Sequence, residues 1–517
     1  MGPTLASCLG KAASCDLFLS PPRSRLRLVS ALAGVLALAL PVAASANVPL
    51  LRVRADTFTN ASSQHRTIVE PDTYSFGSTI VAAVQMGRFF DGGASDNGFA
   101  TSTNNGGSWT GGRLPGITTF AGGGAYNRAT DPSVAYDARH NVWLISSLAL
   151  VDTPSGPFGK AVLTSRSTNG GLTWGNPVNT AVATGAQDFD KNWIVCDNTP
   201  TSPFYGSCYT QFDDFGHGNA LKMYYSRDGG LTWTAGRTPR VGVIGGQPLV
   251  LPNGNVVVPL DNAFATALGY TISTNGGVKF GQAFLITPIS AANDPGNIRS
   301  GPLPSAEISG DGKIYVVWED CRFRAGCPAA GTPNDLVYVT STNGTTWSAV
   351  QRIPIDPVTS TVDHFIPGVG VDRATSGANI HVGVTYYFYP NTNCTVATCQ
   401  LAVGYISSAN GGSSWSAPTQ LAGPMTMSWL PNTSQGRMVG DYISTSFGSD
   451  GLAHPAFAVA KAPTAGGSDC ATATPNCDQG GYTTATGLAA SGGAAVANDP
   501  VLFSGSVGSG HSAFKRR

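Results

Sequence analysis

The strongest signal for the fold is the motif Ser167-Thr168-Asn169-Gly170-Gly171-Leu172-Thr173-Trp174, which recurs along the chain. Related stretches begin at Ser102, Ser226, Ser273 and Ser408, and a copy that is one residue shorter begins at Ser341. The copies lie about 47 to 68 residues apart, a spacing that suits one four-stranded blade of a propeller. The repetition therefore predicts a repeat architecture.

Each copy is predicted to form a tight turn between two strands. A short Ser or Asn side chain can bond neighbouring backbone amides, and Gly accepts the left-handed conformation that such a turn requires. The aromatic residue at the end of the motif can pack between adjacent sheets. We therefore assign the Asp and Asn residues of these turns a structural role and no part in catalysis.

Strand-like runs around the copies complete each repeat. In the second repeat they are residues 131–137, 142–151 and 160–171. After the last copy, residues 441–451, 454–462 and 481–488 form a seventh repeat without the motif. We predict an all-β propeller of four-stranded blades with seven repeats, and a six-bladed ring is the alternative.

Composition narrows the class of protein. The chain contains 65 Gly and 34 Pro in 517 residues, whereas its only glutamates are Glu70, Glu307 and Glu319. Turn formers are thus abundant and helix formers scarce. The net charge is zero, and no Lys/Arg cluster alternates with stacking aromatics. We therefore expect no nucleic-acid partner.

The N-terminus has the pattern of a secretory signal peptide. Arg23, Arg25 and Arg27 precede an apolar run at 28–40, and Ala44-Ser45-Ala46 offers a cleavage site. No later run approaches the roughly 20 apolar residues of a membrane span. We expect a secreted protein, either extracellular or periplasmic.

Three segments follow from these patterns. Residues 1–46 are the predicted signal peptide, 47–503 the predicted propeller, and 504–517 a Gly/Ser-rich tail that we predict to be disordered. We expect the mature chain to be a monomer.

Eight cysteines of the mature chain fall into four neighbouring pairs, which predicts disulfide bonds. Local closure gives the pairs Cys196 with Cys208, Cys321 with Cys327, Cys394 with Cys399, and Cys470 with Cys477. Zinc sites favour tighter Cys/His clusters, and the seven histidines are scattered. We expect no cofactor. A structural calcium ion at Asp213-Asp214 or Glu319-Asp320 is the alternative to simple solvation of these acids.

The repeated turns match the Asp-box motif and resemble the sialidase family and its BNR-repeat relatives. The resemblance implies a Tyr nucleophile, an Asp acid/base and a Glu that withdraws the Tyr proton. It places them at Tyr442 in Gly440-Asp441-Tyr442-Ile443-Ser444, at Asp91 in the loop after Gly87-Arg88, and at Glu307. Asp96 is the second choice for the acid. A packing role for Tyr442 and a solvated loop position for Asp91 are the competing interpretations.

The same resemblance implies three arginines that clamp a sugar carboxylate. Arg322, Arg66 and Arg437 are the candidates. Arg322 could instead brace the Cys321/Cys327 loop through Glu319 or Asp320. Arg66 can join the clamp only if a β-bulge lies at the start of the strand that follows it.

Two functions remain open from the sequence. The first is a secreted glycoside hydrolase that resembles exo-α-sialidases and cleaves terminal sugars from a glycan or glycoconjugate. The second is a propeller without catalysis that binds carbohydrate or a protein partner at the same mouth of the ring.

Overall fold

Seven antiparallel units follow one another in the computed structural model, which describes residues 48–465, 469–470, 476–493, 499–503, 505 and 514. We number them sheets 1 to 7 by their first strands: Ile68–Phe76, Arg128–Asp137, Phe189–Cys196, Leu249–Val250, Ser305–Ile308, Asp363–Val371 and Ser444–Phe447. The second strands are Thr79–Arg88, Val142–Thr153, Cys208–Asp214, Val256–Asn262, Ile314–Asp320, Val382–Tyr389 and Leu452–Ala465. The third strands are Ala94–Ser102, Gly156–Ser167, Ala220–Ser226, Ala267–Ser273, Asp335–Ser341, Gln400–Ser408 and Asn476–Thr484. The outer strands are Thr110–Arg113, Val178–Val182, Thr234–Ala235, Phe284–Pro288, Gln351–Arg352, Thr419–Thr426 and Leu50–Arg54.

A few short elements lie outside this scheme. Val243–Ile244 adds to sheet 4, Leu488–Ala489 adds to sheet 7, and Asn432–Thr433 pairs with Gly436–Arg437. Three single-turn 3₁₀ segments are the helical elements of the described residues: Phe215–His217, Gly377–Asn379 and Met427–Trp429. The sheets therefore carry the fold.

The first strands contact one another in a closed cycle, from sheet 1 through each successive sheet to sheet 7 and back to sheet 1. Sheet 7 takes its outer strand from the N-terminal end of the described chain, because Leu50 pairs with Thr484. This exchange joins both ends of the ring within one sheet. The predicted all-β propeller is confirmed, and we infer seven blades from the cycle.

The repeated turn lies between neighbouring sheets. In the second copy, the backbone N–H of Gly171 donates to Ser167 Oγ over 3.0 Å, and the Trp174 indole donates to the Gly171 carbonyl over 3.1 Å. The Trp174 ring lies 5.8 Å from the Phe99 ring of sheet 1. Each turn of this type thus fastens one hairpin and packs it against the preceding sheet.

The hydrophobic core is divided among the interfaces between sheets. One cluster joins Val81 and Phe99 of sheet 1 to Trp143 and Ile145 of sheet 2. Another joins Tyr315 of sheet 5 to side chains of sheet 6. Burial is therefore distributed around the ring instead of being concentrated in one centre.

The four predicted disulfide bonds are confirmed. They join Cys196 to Cys208, Cys321 to Cys327, Cys394 to Cys399, and Cys470 to Cys477. Each bond closes a loop of at most 12 residues, so the covalent links are local and the ring itself closes by strand pairing.

The predicted signal peptide, residues 1–46, lies outside the described residues. Of the predicted tail, 504–517, only Gly505 and Phe514 are described. The Phe514 side chain is buried in a cluster that includes Tyr209 of sheet 3 and Val258 of sheet 4.

Candidate functional site

The ring has two mouths, and each contains a cavity. A small cavity beside Tyr442 is lined by the chain at or just before the beginning of the first strands of sheets 2 to 7. A second cavity, of about 500 Å³, is lined by the opposite ends of the first strands of sheets 1 and 3 to 7. We call these two mouths the start face and the end face.

A repeated backbone distortion shapes the start face. Glu70, Asp131, Lys191 and Ile366 adopt positive φ angles of 53°, 44°, 53° and 47°. At each position the pairing with the second strand of the sheet shifts register. Positive φ is uncommon for residues other than glycine, and such bulges redirect a side chain from the sheet. Four of the seven first strands therefore begin with the same distortion.

Buried charges meet at this face. Asp441, which precedes the first strand of sheet 7, accepts hydrogen bonds from Lys191 Nζ and, over 2.6 Å, from Arg299 Nε. Burial alone would raise the pKa of Asp441, but Arg299 and Lys191 hold it well below its usual range. Asp441 therefore stays ionised and fixes both cations.

Two further carboxyl groups keep part of their protons near neutral pH. Burial, followed by repulsion from Glu70, raises the pKa of Asp131 to about 7. Burial, followed by repulsion from Asp131, raises the pKa of Asp190 to about 6. The Asp131 carboxyl group accepts no hydrogen bond from any described residue, whereas Asp190 accepts one from the Lys191 backbone over 3.0 Å.

Both carboxyl groups line a cavity of about 290 Å³ on the start face. Lys191, Arg299 and Arg88 line it as well. Arg88 donates to Gln85 over 3.1 Å and to the Gly93 carbonyl over 3.2 Å. The cavity thus combines acids that can exchange a proton with cations that can hold an oxygen-rich ligand.

Tyr442 lies in the smaller cavity, whose volume is about 30 Å³. This volume holds roughly one or two water molecules but no sugar ring. The Tyr442 hydroxyl donates to the Pro132 carbonyl over 3.0 Å, and its ring lies 5.1 Å from the Trp193 ring. Burial, followed by repulsion from Glu70, raises the pKa of Tyr442 well above its usual value. Tyr442 is therefore packed and hydrogen bonded in this conformation.

Asp91 lines the 290 Å³ cavity at its exposed edge, where it pairs with Arg128. Burial would raise the pKa of Asp91, but the hydrogen bond and the charge of Arg128, together with smaller contributions from a backbone hydrogen bond and Arg88, lower it. Asp96, the second choice for the acid, is fully buried, and its carboxylate oxygens accept no hydrogen bond from the described residues.

Glu307 lies at the end face, although we had predicted that it would meet Tyr442. Its strand passes Tyr442 two residues earlier, because Ser305 lines the Tyr442 cavity. Two residues of strand advance the chain by about 6.6 Å. Glu307 therefore lines the end-face cavity and pairs with Arg373 over 3.3 Å. The structure does not bring the three predicted catalytic residues together.

The three predicted clamp arginines are held elsewhere by carboxylates. Arg322 pairs with Asp320 over 2.6 Å and Arg437 with Asp469 over 2.8 Å. Arg66 pairs with Asp478 over 3.2 Å. The strand entry after Arg66 does bulge, but the displaced side chain belongs to Glu70.

Arg322, Arg66 and Arg437 line none of the cavities described above. The cations that do reach the start face, Lys191 and Arg299, were missed by the sequence reasoning. One available signal was the repeated residue-Pro step at Glu70-Pro71, Asp131-Pro132 and Ile366-Pro367.

The acid pairs considered for calcium have protein partners. Asp214 forms an ion pair with Lys222 over 3.3 Å, and Asp320 forms one with Arg322. Among the described residues, the grouping with metal-ligand spacing is Asp335, Asp356 and His364. Arg324 and Arg352 bind the two acids of that grouping, which leaves little room for a cation.

No protein-family model matches the chain, and no curated protein matches it either. Solved structures are similar to it in fold. A protein of unknown function from Dyadobacter fermentans is 16% identical, with a TM-score of 0.44, over 70% of this chain and 99% of that one. The Hadza microbial sialidase Hz136 is 14% identical, with a TM-score of 0.42, over 68% and 66%.

Trypanosoma rangeli sialidase in complex with sialic acid is 13% identical, with a TM-score of 0.44, over 71% of this chain and 59% of that one. The match therefore spans less than two thirds of the trypanosomal enzyme. Separately, no helix among the described residues is long and apolar enough to cross a bilayer.

Proposed function

We propose that the protein is a secreted glycoside hydrolase whose active site is the 290 Å³ cavity of the start face. The observation that carries this proposal is the presence of Asp131 and Asp190 in one cavity with Lys191 and Arg299. The predicted leader and the four disulfide bonds support export.

The chemistry requires two carboxyl groups in different protonation states. Hydrolysis of a glycosidic bond uses one acid that protonates the leaving oxygen and one carboxylate that activates water or attacks the sugar. Asp131, with a pKa of about 7, suits the acid, and Asp190, with a lower pKa, suits the carboxylate. Lys191 and Arg299 can donate hydrogen bonds to hydroxyl oxygens of the glycan beside them.

This assignment replaces the nucleophile and acid/base set from the family resemblance. Tyr442 donates a hydrogen bond from its hydroxyl to a backbone carbonyl, and Asp91 has a lowered pKa, so near neutral pH it is ionised and holds no proton to donate. A clamp for sialic acid would also need arginines free of carboxylates, whereas Arg299 is bound by Asp441. The proposed substrate is therefore a glycan, without commitment to a terminal sialic acid.

The test is hydrolysis of a panel of 4-methylumbelliferyl glycosides, including the α-sialoside, by the purified secreted protein. We expect Asp131→Asn and Asp190→Asn each to lower kcat by about 10²–10⁴-fold, as for loss of a general acid or base. We expect Tyr442→Phe to retain turnover within about threefold, since its hydroxyl only bonds Pro132.

Turnover that survives in both Asp variants but disappears in Tyr442→Phe and Asp91→Ala would contradict this assignment and favour the sialidase-type set. The pH profile gives a second check. An acid with a pKa of about 7 should make kcat/KM fall above neutral pH, and Asp131→Asn should remove that limb.

A glycan-binding propeller without catalysis is the second candidate. Two observations favour this candidate. The Tyr442 hydroxyl is hydrogen bonded to the Pro132 carbonyl, and Arg299 and Lys191 form ion pairs with Asp441. Absence of turnover on the whole panel, together with glycan binding that Lys191→Met abolishes, would select this candidate.

A further inference from the structure

The end face contains a second cavity that the proposed hydrolysis does not use. Its volume is about 500 Å³, within the range of small-molecule sites, and it is lined by the ends of six first strands. It lies on the side of the ring away from Asp131 and Lys191, which line cavities of the start face. A ligand here would not compete directly with one at the proposed active site.

Glu307 and Arg373 form an ion pair in the wall of this cavity. Arg373 donates from one nitrogen to Glu307 Oε2 over 3.3 Å and from another to the Tyr74 hydroxyl. The Glu307 and Arg373 side chains are 27% and 35% exposed. Glu307 Oε1 accepts no hydrogen bond from any described residue, and Arg373 Nε donates none. The pair thus presents one free acceptor and several free N–H donors side by side.

Aromatic and aliphatic side chains also line the cavity, beside further polar residues that include Asn198 and Ser309. Phe76 is 44% exposed although its ring lies 4.3 Å from the ring of Tyr136. The Arg373 guanidinium lies 4.7 Å from the centre of the Tyr74 ring. Val250 and Phe447 extend this apolar wall. A ligand therefore needs an apolar face as well as hydrogen-bonding groups.

The charge of the lining disfavours an anionic ligand. Asp372, the remaining charged residue in the lining, accepts from the Ala374 backbone over 2.9 Å and faces His381 over 3.4 Å. Glu307 and Arg373 neutralise each other. The cavity thus has no surplus positive charge for a phosphate or carboxylate.

We propose that the end-face cavity binds a neutral saccharide. Sugar hydroxyl groups both donate and accept, which matches the free Glu307 oxygen and the free Arg373 N–H groups. The C–H faces of a sugar ring can lie against Phe76. The site is independent of the proposed hydrolysis, and it gives the propeller a second point of attachment to a glycan.

The experiment uses the full mature chain. Labelled protein is applied to an array of neutral and sialylated oligosaccharides, and the strongest neutral ligand is then titrated by calorimetry. We expect Glu307→Gln and Arg373→Gln each to weaken binding by at least about tenfold, as loss of a charge-assisted hydrogen bond predicts. Thermal unfolding establishes that each variant is folded.

Two controls separate the faces. Arg240→Ala changes an exposed arginine with no hydrogen bond or ion pair to a described residue, and it should leave binding unchanged. Asp131→Asn changes the start face and should also leave binding unchanged. If Arg373→Gln does not fold, Glu307→Gln, which preserves shape, decides the outcome.

Any of three results would overturn the proposal: no neutral glycan bound, binding limited to sialylated glycans, or neutral binding that Glu307→Gln leaves intact. Each can occur whether or not the start face hydrolyses glycosides, so failure here leaves that proposal standing.

Discussion

Asp261, in the second strand of sheet 4, shows how a single buried acid makes the free energy of unfolding depend on pH. The residue is fully buried, and neither carboxylate oxygen accepts a hydrogen bond from the described residues. Burial raises its pKa well above the ordinary value of 3.8. Folded Asp261 therefore keeps its proton at pH values where the unfolded chain has lost it.

Between the ordinary pKa and the raised pKa, unfolding releases this proton, so stability falls as the pH rises. We expect Asp261→Asn to remove a slope of up to about 1.4 kcal/mol per pH unit. Thermal melts between about pH 5 and pH 8 measure it. The exposed Asp450→Asn is the control, and a wild-type slope that persists in Asp261→Asn would contradict the prediction.

Two adjacent glycines of the repeated turn differ in how closely they pack against the neighbouring sheet. Gly170 and Gly171 have nearly equal φ angles of 78° and 80°. A Cβ on Gly170 would meet nothing within 4 Å, whereas one on Gly171 would lie 2.7 Å from Val81 of sheet 1. The second glycine is therefore also a spacer between sheets.

We expect Gly171→Ala to destabilise the protein more than Gly170→Ala does. Both variants carry the same backbone strain, so the difference isolates the overpacking against Val81, about 1–3 kcal/mol. Urea unfolding of the two variants measures this difference. An equal loss of stability in the two variants would show that sheet 1 shifts to accommodate the added methyl group without a further cost in free energy.

At the scale of the whole molecule, buried charges join sheets that are distant in sequence. Asp441 precedes sheet 7, Lys191 belongs to sheet 3, and Arg299 precedes sheet 5. The side chains of Lys191 and Asp441 are at most 10% exposed. The cluster thus connects three distant parts of the ring at the start face. The strand pairing within each sheet does not connect these parts.

Asp441→Asn should destabilise the fold by about 3–5 kcal/mol, because it leaves Lys191 and Arg299 buried without their carboxylate. Urea unfolding provides the measurement. The double variant with Lys191→Met should lose less than the sum of the two single variants. Strict additivity would mean that the two charges act separately.

The fold was largely predictable because its determinants are local. Turn chemistry at Ser167–Trp174 and its copies, and the strand-like runs between them, require only neighbouring residues. The disulfide pairs were predictable for the same reason, since each closes a short loop. The role of Leu50–Arg54 as the outer strand of sheet 7 depends on a partner more than 400 residues away.

The candidate site was only partly predictable. The Asp441-Tyr442 segment and Asp91 do reach the start face, yet Glu307 lies at the opposite mouth. A shift of two residues along a strand moves a side chain by about 6.6 Å, which here takes it from one mouth of the ring to the other, and family spacing does not fix that shift. Arg66 and Arg437 looked available because their carboxylate partners could not be identified from sequence, whereas Asp320 was already an alternative partner for Arg322.

The all-β repeat, its turns and its disulfide bonds can be predicted from the sequence, since they follow from backbone preferences and short loops. Which charges share a cavity depends on the folded ring. Lys191, Arg299 and Asp441 come from distant parts of the chain, and ring closure together with bulged strand entries brings them together. Their ionisation follows from mutual distance and burial, which are properties of the folded ring.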